Sequence, residues 1–190
     1  MKLDEISQAS AAIKSESMAT TKSIENMKKI IDQTISVEFI WKIDNWAEKL
    51  RKARNGIAGE FFSDSFLTHQ NGYKICLALR FDGFYLDIGF CILSGPFDAI
   101  LRWPFDRYVE FSLMNQESRL AHETVKIECS KYANCVELQQ PKKENKNKPF
   151  YHYYYYDPFI SSREISSNPE ICQNDEIFIK CSSRPAEHRK

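Results

Sequence analysis

The stretch "YKICLALRFDGFYLDIGFCI", residues 73–92, decides the fold of this chain. Apolar and aromatic residues alternate with other residues on both sides of Asp82-Gly83, a dipeptide typical of a two-residue hairpin turn. Pairing Phe81 with Phe84 and counting outward predicts a buried face. That face carries ten residues: Tyr73, Ile75, Leu77, Leu79, Phe81, Phe84, Leu86, Ile88, Phe90 and Ile92. A one-residue slip would scatter them over both faces, so the pattern predicts an antiparallel hairpin.

The opposite face of this hairpin mixes apolar and charged residues. It carries Lys74, Cys76, Ala78, Arg80, Tyr85, Asp87, Gly89 and Cys91. The same register makes Arg80 and Asp87 diagonal neighbours, which are close enough to interact. A surface ion pair between them would contribute under about 1 kcal/mol, and a ligand-binding role for Arg80 stays open beside it.

Alternating segments continue along the rest of the chain. Further strands are predicted at residues 37–43, 108–116, 124–129, 150–156 and 175–181, and a short helix at 45–54. Many short strands without a βαβ rhythm predict a mainly β protein, an antiparallel β-sandwich. We place this domain at residues 37–183, followed by a flexible tail at 184–190.

Residues 1–36 differ from everything after them, because they contain no Gly, Pro or aromatic residue. Heptads counted from Leu3 are weak in the middle, where Ser10 and Ser17 occupy core positions. They favour a self-associating coiled-coil stalk over residues 1–36, although a single amphipathic helix packed on the next domain stays open. The apolar heptad positions are Leu3, Ile6, Ile13, Ile24, Met27 and Ile31.

The overall composition argues against several classes of partner. Lys+Arg and Asp+Glu both count 26, so strong electrostatic capture of nucleic acid or of an anionic membrane is not expected. No window is long and apolar enough to span a bilayer. The six cysteines favour reduced, intracellular thiols over disulfides, because a chain of this size does not need covalent staples.

No catalytic or metal-binding motif stands out. The sequence has no phosphate-binding glycine loop, no zinc-protease motif and no paired CxxC units. Cys129, Cys135 and His152 do not follow a recognised zinc spacing. A triad assembled from distant residues stays open. We therefore expect no metal, no cofactor and no enzymatic activity.

Four segments carry a family resemblance: "VEFIWKIDNW", "GYKICLALRFDG", "LSGPFDAILRWPF" and "NDEIFIKC". They resemble, in order and approximate spacing, the carboxy-terminal TRAF or MATH domain of the tumour-necrosis-factor-receptor-associated factors. The resemblance implies a β-sandwich behind a coiled coil, with three chains joined through the stalk. It implies a cytoplasmic, trimeric signalling adaptor that binds extended peptides of receptor tails or adaptor proteins. The alternative is a MATH-type substrate-recognition module for a ubiquitin ligase, which needs no trimer.

The resemblance also implies a peptide-binding surface on the outer face of the hairpin, at a sheet edge. The residues it assigns are Cys76, Ala78, Arg80, Tyr85, Asp87, Gly89, Tyr154 and Tyr155. The chain departs from the family here: Ala78 and Arg80 stand where better-known members have an arginine and a tyrosine, and Gly89 where they have an aromatic. The family's serine cluster also has no clear match near Cys135. These departures predict altered peptide specificity, or a scaffold that binds no peptide.

Overall fold

A computed structural model describes residues 13–14, 16–24, 38–57, 59–81, 84–141 and 153–186. The chain divides into two units, residues 1–35 and 36–190. In the first unit, residues 13–14 and 16–24 are helical, and Ile13 and Ile24 are exposed. The other apolar heptad positions, Leu3, Ile6, Met27 and Ile31, lie outside the described residues. Trimerisation through this segment therefore stays a prediction.

The second unit is built from short strands and two short helices. Its elements are β1 (Glu38–Ile43), α1 (Trp46–Arg54), β2 (Glu60–Phe62), β3 (Phe66–Leu67), β4 (Lys74–Phe81), β5 (Tyr85–Leu93), β6 (Arg107–Met114), β7 (Ala121–Glu128), β8 (Tyr153–Ser161), α2 (Ser162–Ser167) and β9 (Ile177–Pro185). Two single turns of 3-10 helix, Cys129–Tyr132 and Val136–Leu138, follow β7. The last strand ends two residues beyond the predicted domain boundary.

The strands form two antiparallel sheets. One has the order β1-β9-β6-β7, and the other has the order β2-β4-β5-β8 with β3 also paired to β4. The inner faces of both sheets contribute to one apolar core, so the sheets stack as a sandwich. The predicted fold class, a mainly β antiparallel sandwich, is confirmed.

The centre of the core lies between the hairpin and β6. Phe90 on β5 is 1% exposed, and its ring centroid lies 5.6 Å from that of Phe105 and 6.3 Å from that of Phe111. Ile177 and Ile179 of β9 are also buried in this cluster. Each such side chain contributes about 1.5–3 kcal/mol through burial. This core holds β5 rigidly, and the outer face of β5 is positioned by it.

The hairpin between β4 and β5 keeps its predicted faces but not its predicted register. Phe81 pairs with Leu86 instead of Phe84, a shift of two residues that leaves every side chain of the strands on its expected face. Arg80 lies directly opposite Asp87 as a result. Phe84 is 78% exposed, so its predicted place in the core is wrong. Phe84 falls in the connection beyond the last pair, Phe81 with Leu86, and this connection is longer than a two-residue turn. Asp82 and Gly83 lie outside the described residues.

Helix α1 begins with an unusual cap. Asn45 adopts a left-handed conformation and makes no side-chain capping bond. The backbone N–H of Ala47 instead donates to the carboxylate of Asp175, at 2.7 Å. Trp46 and Leu50 bury the apolar side of the helix. The start of the helix is therefore fixed by Asp175, which precedes β9. Its last turn carries the basic residues Arg51, Lys52 and Arg54.

Candidate functional site

A charged cluster lies on the outer face of the five-stranded sheet. We define the outer-face cluster as Glu60, Arg80, Asp87, Tyr155 and Asp157. Strands β2, β4, β5 and β8 each contribute at least one member. The cluster is therefore assembled across the whole width of the sheet.

An ion pair between Arg80 and Asp87 forms its centre. The Arg80 Nε donates to Asp87 Oδ2 at 2.8 Å, and Nη2 lies 2.7 Å from the same oxygen. The Asp87 side chain is 2% exposed, whereas that of Arg80 is 42% exposed. The hydrogen bond to Asp87 raises the pKa of Arg80 above its ordinary value. Asp87 thus anchors a guanidinium whose outer part remains accessible.

Tyr155 covers the other side of this guanidinium. The Arg80 Cζ lies 4.5 Å from the centroid of the Tyr155 ring, a cation–π geometry. The Tyr155 hydroxyl donates to Glu60 Oε1 at 3.2 Å. Burial, followed by the carboxylate of Glu60, raises the pKa of Tyr155 above its ordinary value. The phenol is therefore a neutral hydrogen-bond donor at physiological pH.

A break in strand pairing brings Asp157 close to Asp87. The register between β5 and β8 shifts between Leu86 and Ile88, directly beside Asp87. Irregularities of this kind commonly re-aim side chains at binding sites. Asp157 Oδ2 lies 3.8 Å from Arg80 Nη2. Two carboxylates, those of Asp87 and Asp157, thus lie against one guanidinium, and with Glu60 the cluster carries an excess of negative charge.

The pKa of Asp87 is raised above its ordinary value, mainly by burial. The ion pair with Arg80 opposes this shift, and the neighbouring Asp157 adds to it. The Oδ1 atom of Asp87 is buried and receives no hydrogen bond from the described residues. The carboxyl group is therefore costly to ionise despite its arginine partner.

This raised pKa predicts a pH dependence of stability. The folded state holds the Asp87 proton more tightly than the unfolded chain, so the contribution of Asp87 is lost as pH rises through the folded pKa. We expect the free energy of unfolding of the native chain, relative to Asp87→Asn, to fall as the pH rises above about 4, the ordinary pKa of an aspartate. Urea denaturation at increasing pH measures it, with the exposed Asp64→Asn as control. A difference that rises with pH would contradict the prediction.

Gly89 allows β8 to approach β5 closely. A Cβ atom at Gly89 would lie 2.8 Å from Cδ1 of Tyr155, and still closer to the backbone oxygen of Tyr154. The Tyr155 ring therefore occupies the space above the glycine. Better-known family members were expected to carry an aromatic residue at the position of Gly89. In this chain the aromatic ring over that position is Tyr155 of the neighbouring strand β8.

Strand β8 is an edge of its sheet. It pairs with β5 on one side, and among the described residues no strand pairs with its other side. A free edge presents backbone donors and acceptors to which an extended peptide can add. Tyr154 packs inward, with its ring 6.1 Å from that of Phe90, while Tyr156 is 43% exposed. The edge is therefore lined by aromatic side chains.

The structure separates the predicted peptide-binding residues into two groups. Accessible members are Arg80, Tyr85 and, in part, Tyr155, whereas Tyr154 faces the core at the sheet edge. The buried members are Cys76, Ala78, Asp87 and Gly89. Cys76 lies opposite Cys91 with their sulfur atoms 2.9 Å apart, and both thiols are buried. Of the predicted residues, Arg80 and, in part, Tyr155 are thus accessible in the outer-face cluster, whereas Tyr85 is exposed at the start of β5, outside that cluster.

Sequence reasoning missed Glu60 and Asp157. Glu60 pairs with Arg80 across β2 and β4, and Asp157 precedes Pro158 at the irregular part of β8. Both contacts join residues far apart in sequence. An acidic residue just before a proline, directly after the strand predicted at residues 150–156, was the available signal for Asp157, because prolines in strands mark irregular pairing.

The described residues give no sign of a metal or membrane-spanning site. They contain no group of three or more His, Cys, Asp or Glu side chains placed to hold a metal ion. None of their helices combines the length and hydropathy needed to cross a bilayer. All six cysteines lie in this part of the chain and are free thiols.

Two stacked antiparallel sheets with a free edge define the chain as an antiparallel β-sandwich. A family model described as "TRAF/meprin, MATH domain" matches residues 58–180. The chain therefore belongs to this family. The family resemblance predicted from the sequence is confirmed.

Individual relatives agree with this assignment. Human TNF receptor-associated factor 2 is 39% identical over 87 residues, which are 43% of this chain and 17% of that protein. Mouse TNF receptor-associated factor 5 is 30% identical over 132 residues, 65% of this chain and 24% of that protein. The chain thus spans less than two thirds of the length of each. A solved structure, Notothenia coriiceps TRAF5, has the same fold, with a TM-score of 0.70, 19% identity and coverage of 98% of this chain and 92% of that one. These findings support a signalling-adaptor domain of the TRAF/MATH type.

Proposed function

We propose that the chain is a cytoplasmic signalling adaptor that captures extended peptides of receptor tails or adaptor proteins. The observation that carries this proposal is the free edge of β8 beside the outer-face cluster. Peptide backbone would pair with β8, and the side chains of the cluster would select the sequence. The activity is binding and scaffolding, with no catalytic step.

The charge of the outer-face cluster indicates which peptides it prefers. The Arg80 guanidinium is already held between Asp87 and Asp157, so an incoming carboxylate would compete with two resident acids. Glu60 and Asp157 are exposed. The site therefore favours a peptide with a lysine or arginine, and this is how its specificity would depart from acidic-peptide binding.

A peptide array tests this preference. The full chain is incubated with decapeptides from cytoplasmic receptor tails, and captured peptides are expected to be enriched in lysine and arginine. The double variant Glu60→Gln/Asp157→Asn should weaken their capture about tenfold, because charge-assisted hydrogen bonds are lost. The variant Glu117→Gln/Glu123→Gln removes two exposed acids elsewhere and should leave capture unchanged. Capture of lysine- and arginine-containing peptides that the double variant leaves unchanged would contradict the preference, and capture of no peptide would contradict peptide binding itself.

We also propose that residues 1–36 assemble three copies through the apolar heptad positions. Three weak peptide sites on one assembly raise the effective affinity for clustered tails without any new contact. Light scattering is expected to give three times the mass of the chain, and Ile13→Asp/Ile24→Asp is expected to reduce it to the monomer. A native chain that stays monomeric at all concentrations would overturn the trimer and favour a substrate-recognition module for a ubiquitin ligase.

A further inference from the structure

A cleft lies where the β4–β5 connection meets both helices, away from the outer-face cluster. Its volume is about 990 Å³, and its lining includes Arg54, Phe84, Tyr85, Arg163 and Ser166. It shares no lining residue with the outer-face cluster. Tyr85, which the family resemblance grouped with the peptide-binding residues, thus lies in a different surface.

The cleft is held in shape by backbone pairing. The Ser162 N–H donates to the Phe84 carbonyl at 2.9 Å, and Tyr85 pairs with Ser161. Helix α1 supplies Arg54 as its last residue, and α2 supplies Arg163. Two arginines more than a hundred residues apart in sequence therefore line the same cleft.

Both arginines are available to a ligand. Their side chains are exposed, and no carboxylate of the described residues forms an ion pair with either. The acids of the same two helices are engaged elsewhere: Glu48 lies 2.8 Å from Lys52, and Glu164 lies 3.0 Å from His122. The cleft is therefore locally cationic in a chain whose net charge is zero.

The cleft also presents aromatic surface. Phe84 is 78% exposed and Tyr85 is 46% exposed. Arginine and aromatic side chains together are characteristic of protein interfaces. We propose that this cleft binds an acidic peptide segment of a partner protein, with a glutamate or aspartate between Arg54 and Arg163 and an apolar side chain against Phe84.

Other anionic partners fit these observations less well. Nucleic acid and anionic membranes are captured by broad basic surfaces, whereas the net charge of this chain is zero and the two arginines flank one concavity. The Ser166 hydroxyl donates to the Ser162 carbonyl at 2.9 Å, so its proton is already used. The arginines are then the main donors, and guanidinium groups match the geometry of a carboxylate.

Fluorescence polarisation with three labelled dodecapeptides tests the proposal on the full chain. One peptide alternates glutamate and phenylalanine in a serine background, the second replaces glutamate with glutamine, and the third replaces it with phosphoserine. We expect the first to bind at least about tenfold more tightly than the second, with an affinity that falls as salt rises. If the phosphoserine peptide bound and the glutamate peptide did not, the assignment to a carboxylate ligand would be overturned.

Matched double variants locate the binding. Arg54→Gln/Arg163→Gln should weaken the acidic peptide about tenfold or more, whereas Arg102→Gln/Arg119→Gln removes the same charge elsewhere and should not. Equal losses in both variants would show attraction by net charge and overturn the proposal. Glu60→Gln/Asp157→Asn leaves this cleft intact and should not weaken the acidic peptide. A failure of the outer-face site is therefore distinguishable from a failure here.

Discussion

Phe90→Ala is expected to lower the free energy of unfolding by about 3–5 kcal/mol, the largest effect that we predict. The Phe90 ring is 1% exposed and lies among Phe105, Phe111 and Tyr154, so truncation leaves a cavity at the centre of the sandwich. Urea denaturation followed by tryptophan fluorescence measures the change. The reduced contact with Tyr154 should also loosen the edge strand.

Phe84→Ala is the matched control for this substitution. It removes the same side chain from the same hairpin, but Phe84 is 78% exposed and the expected change is within about 0.5 kcal/mol. Equal destabilisation by Phe90→Ala and Phe84→Ala would mean that Phe84 is buried in the core. The pairing of Phe81 with Leu86 would then be wrong.

Gly89→Ala is expected to cost about 2–3 kcal/mol, because the added methyl group overpacks the contact between β5 and β8. Its Cβ would meet the Tyr155 ring at 2.8 Å and a backbone oxygen that cannot rotate away. The strands must separate, and the Tyr155 ring must leave the Arg80 guanidinium. Thermal denaturation reports the loss of stability, and the peptide array reports the loss of binding.

Gly59→Ala provides the comparison for the glycine substitution. A Cβ at Gly59 would lie 3.4 Å from the Phe81 oxygen, which is an ordinary contact. Its effect should stay within about 1 kcal/mol. If Gly89→Ala were equally mild, β8 would lie farther from β5 than described, and the cation–π contact with Arg80 would lose its support.

The faces of the central hairpin were predictable from sequence, but its exact pairing was not. Alternation specifies which side of the strand a residue occupies, and a shift of two residues preserves that side. The Asp82-Gly83 pair indicated a tight turn, whereas pairing ends at Phe81 and Leu86. Hydrophobic patterning alone does not distinguish these registers, because both bury the same strand residues.

The outer-face cluster was predictable only in part. Arg80 and Asp87 are close along the hairpin, so counting residues brought them together. Glu60 and Asp157 join them through pairing with β2 and at the irregular part of β8, which depends on how whole strands dock. Capping of α1 by Asp175 has the same origin, because its donor and acceptor are 128 residues apart. Contacts of this kind are set by topology and leave no local pattern.

The assembly of the outer-face cluster from four strands links the formation of the proposed binding surface to the completion of folding. Its members extend from Glu60 to Asp157, so the cluster is complete only once β8 has docked. Proteolytic cuts on both sides of β8 that release this strand would remove Tyr155 and Asp157 together and leave the Asp87 carboxylate with Arg80 alone. A bound peptide, by mass action, would in turn protect the edge strand from release. Binding of the proposed peptide would therefore also lengthen the lifetime of the folded domain.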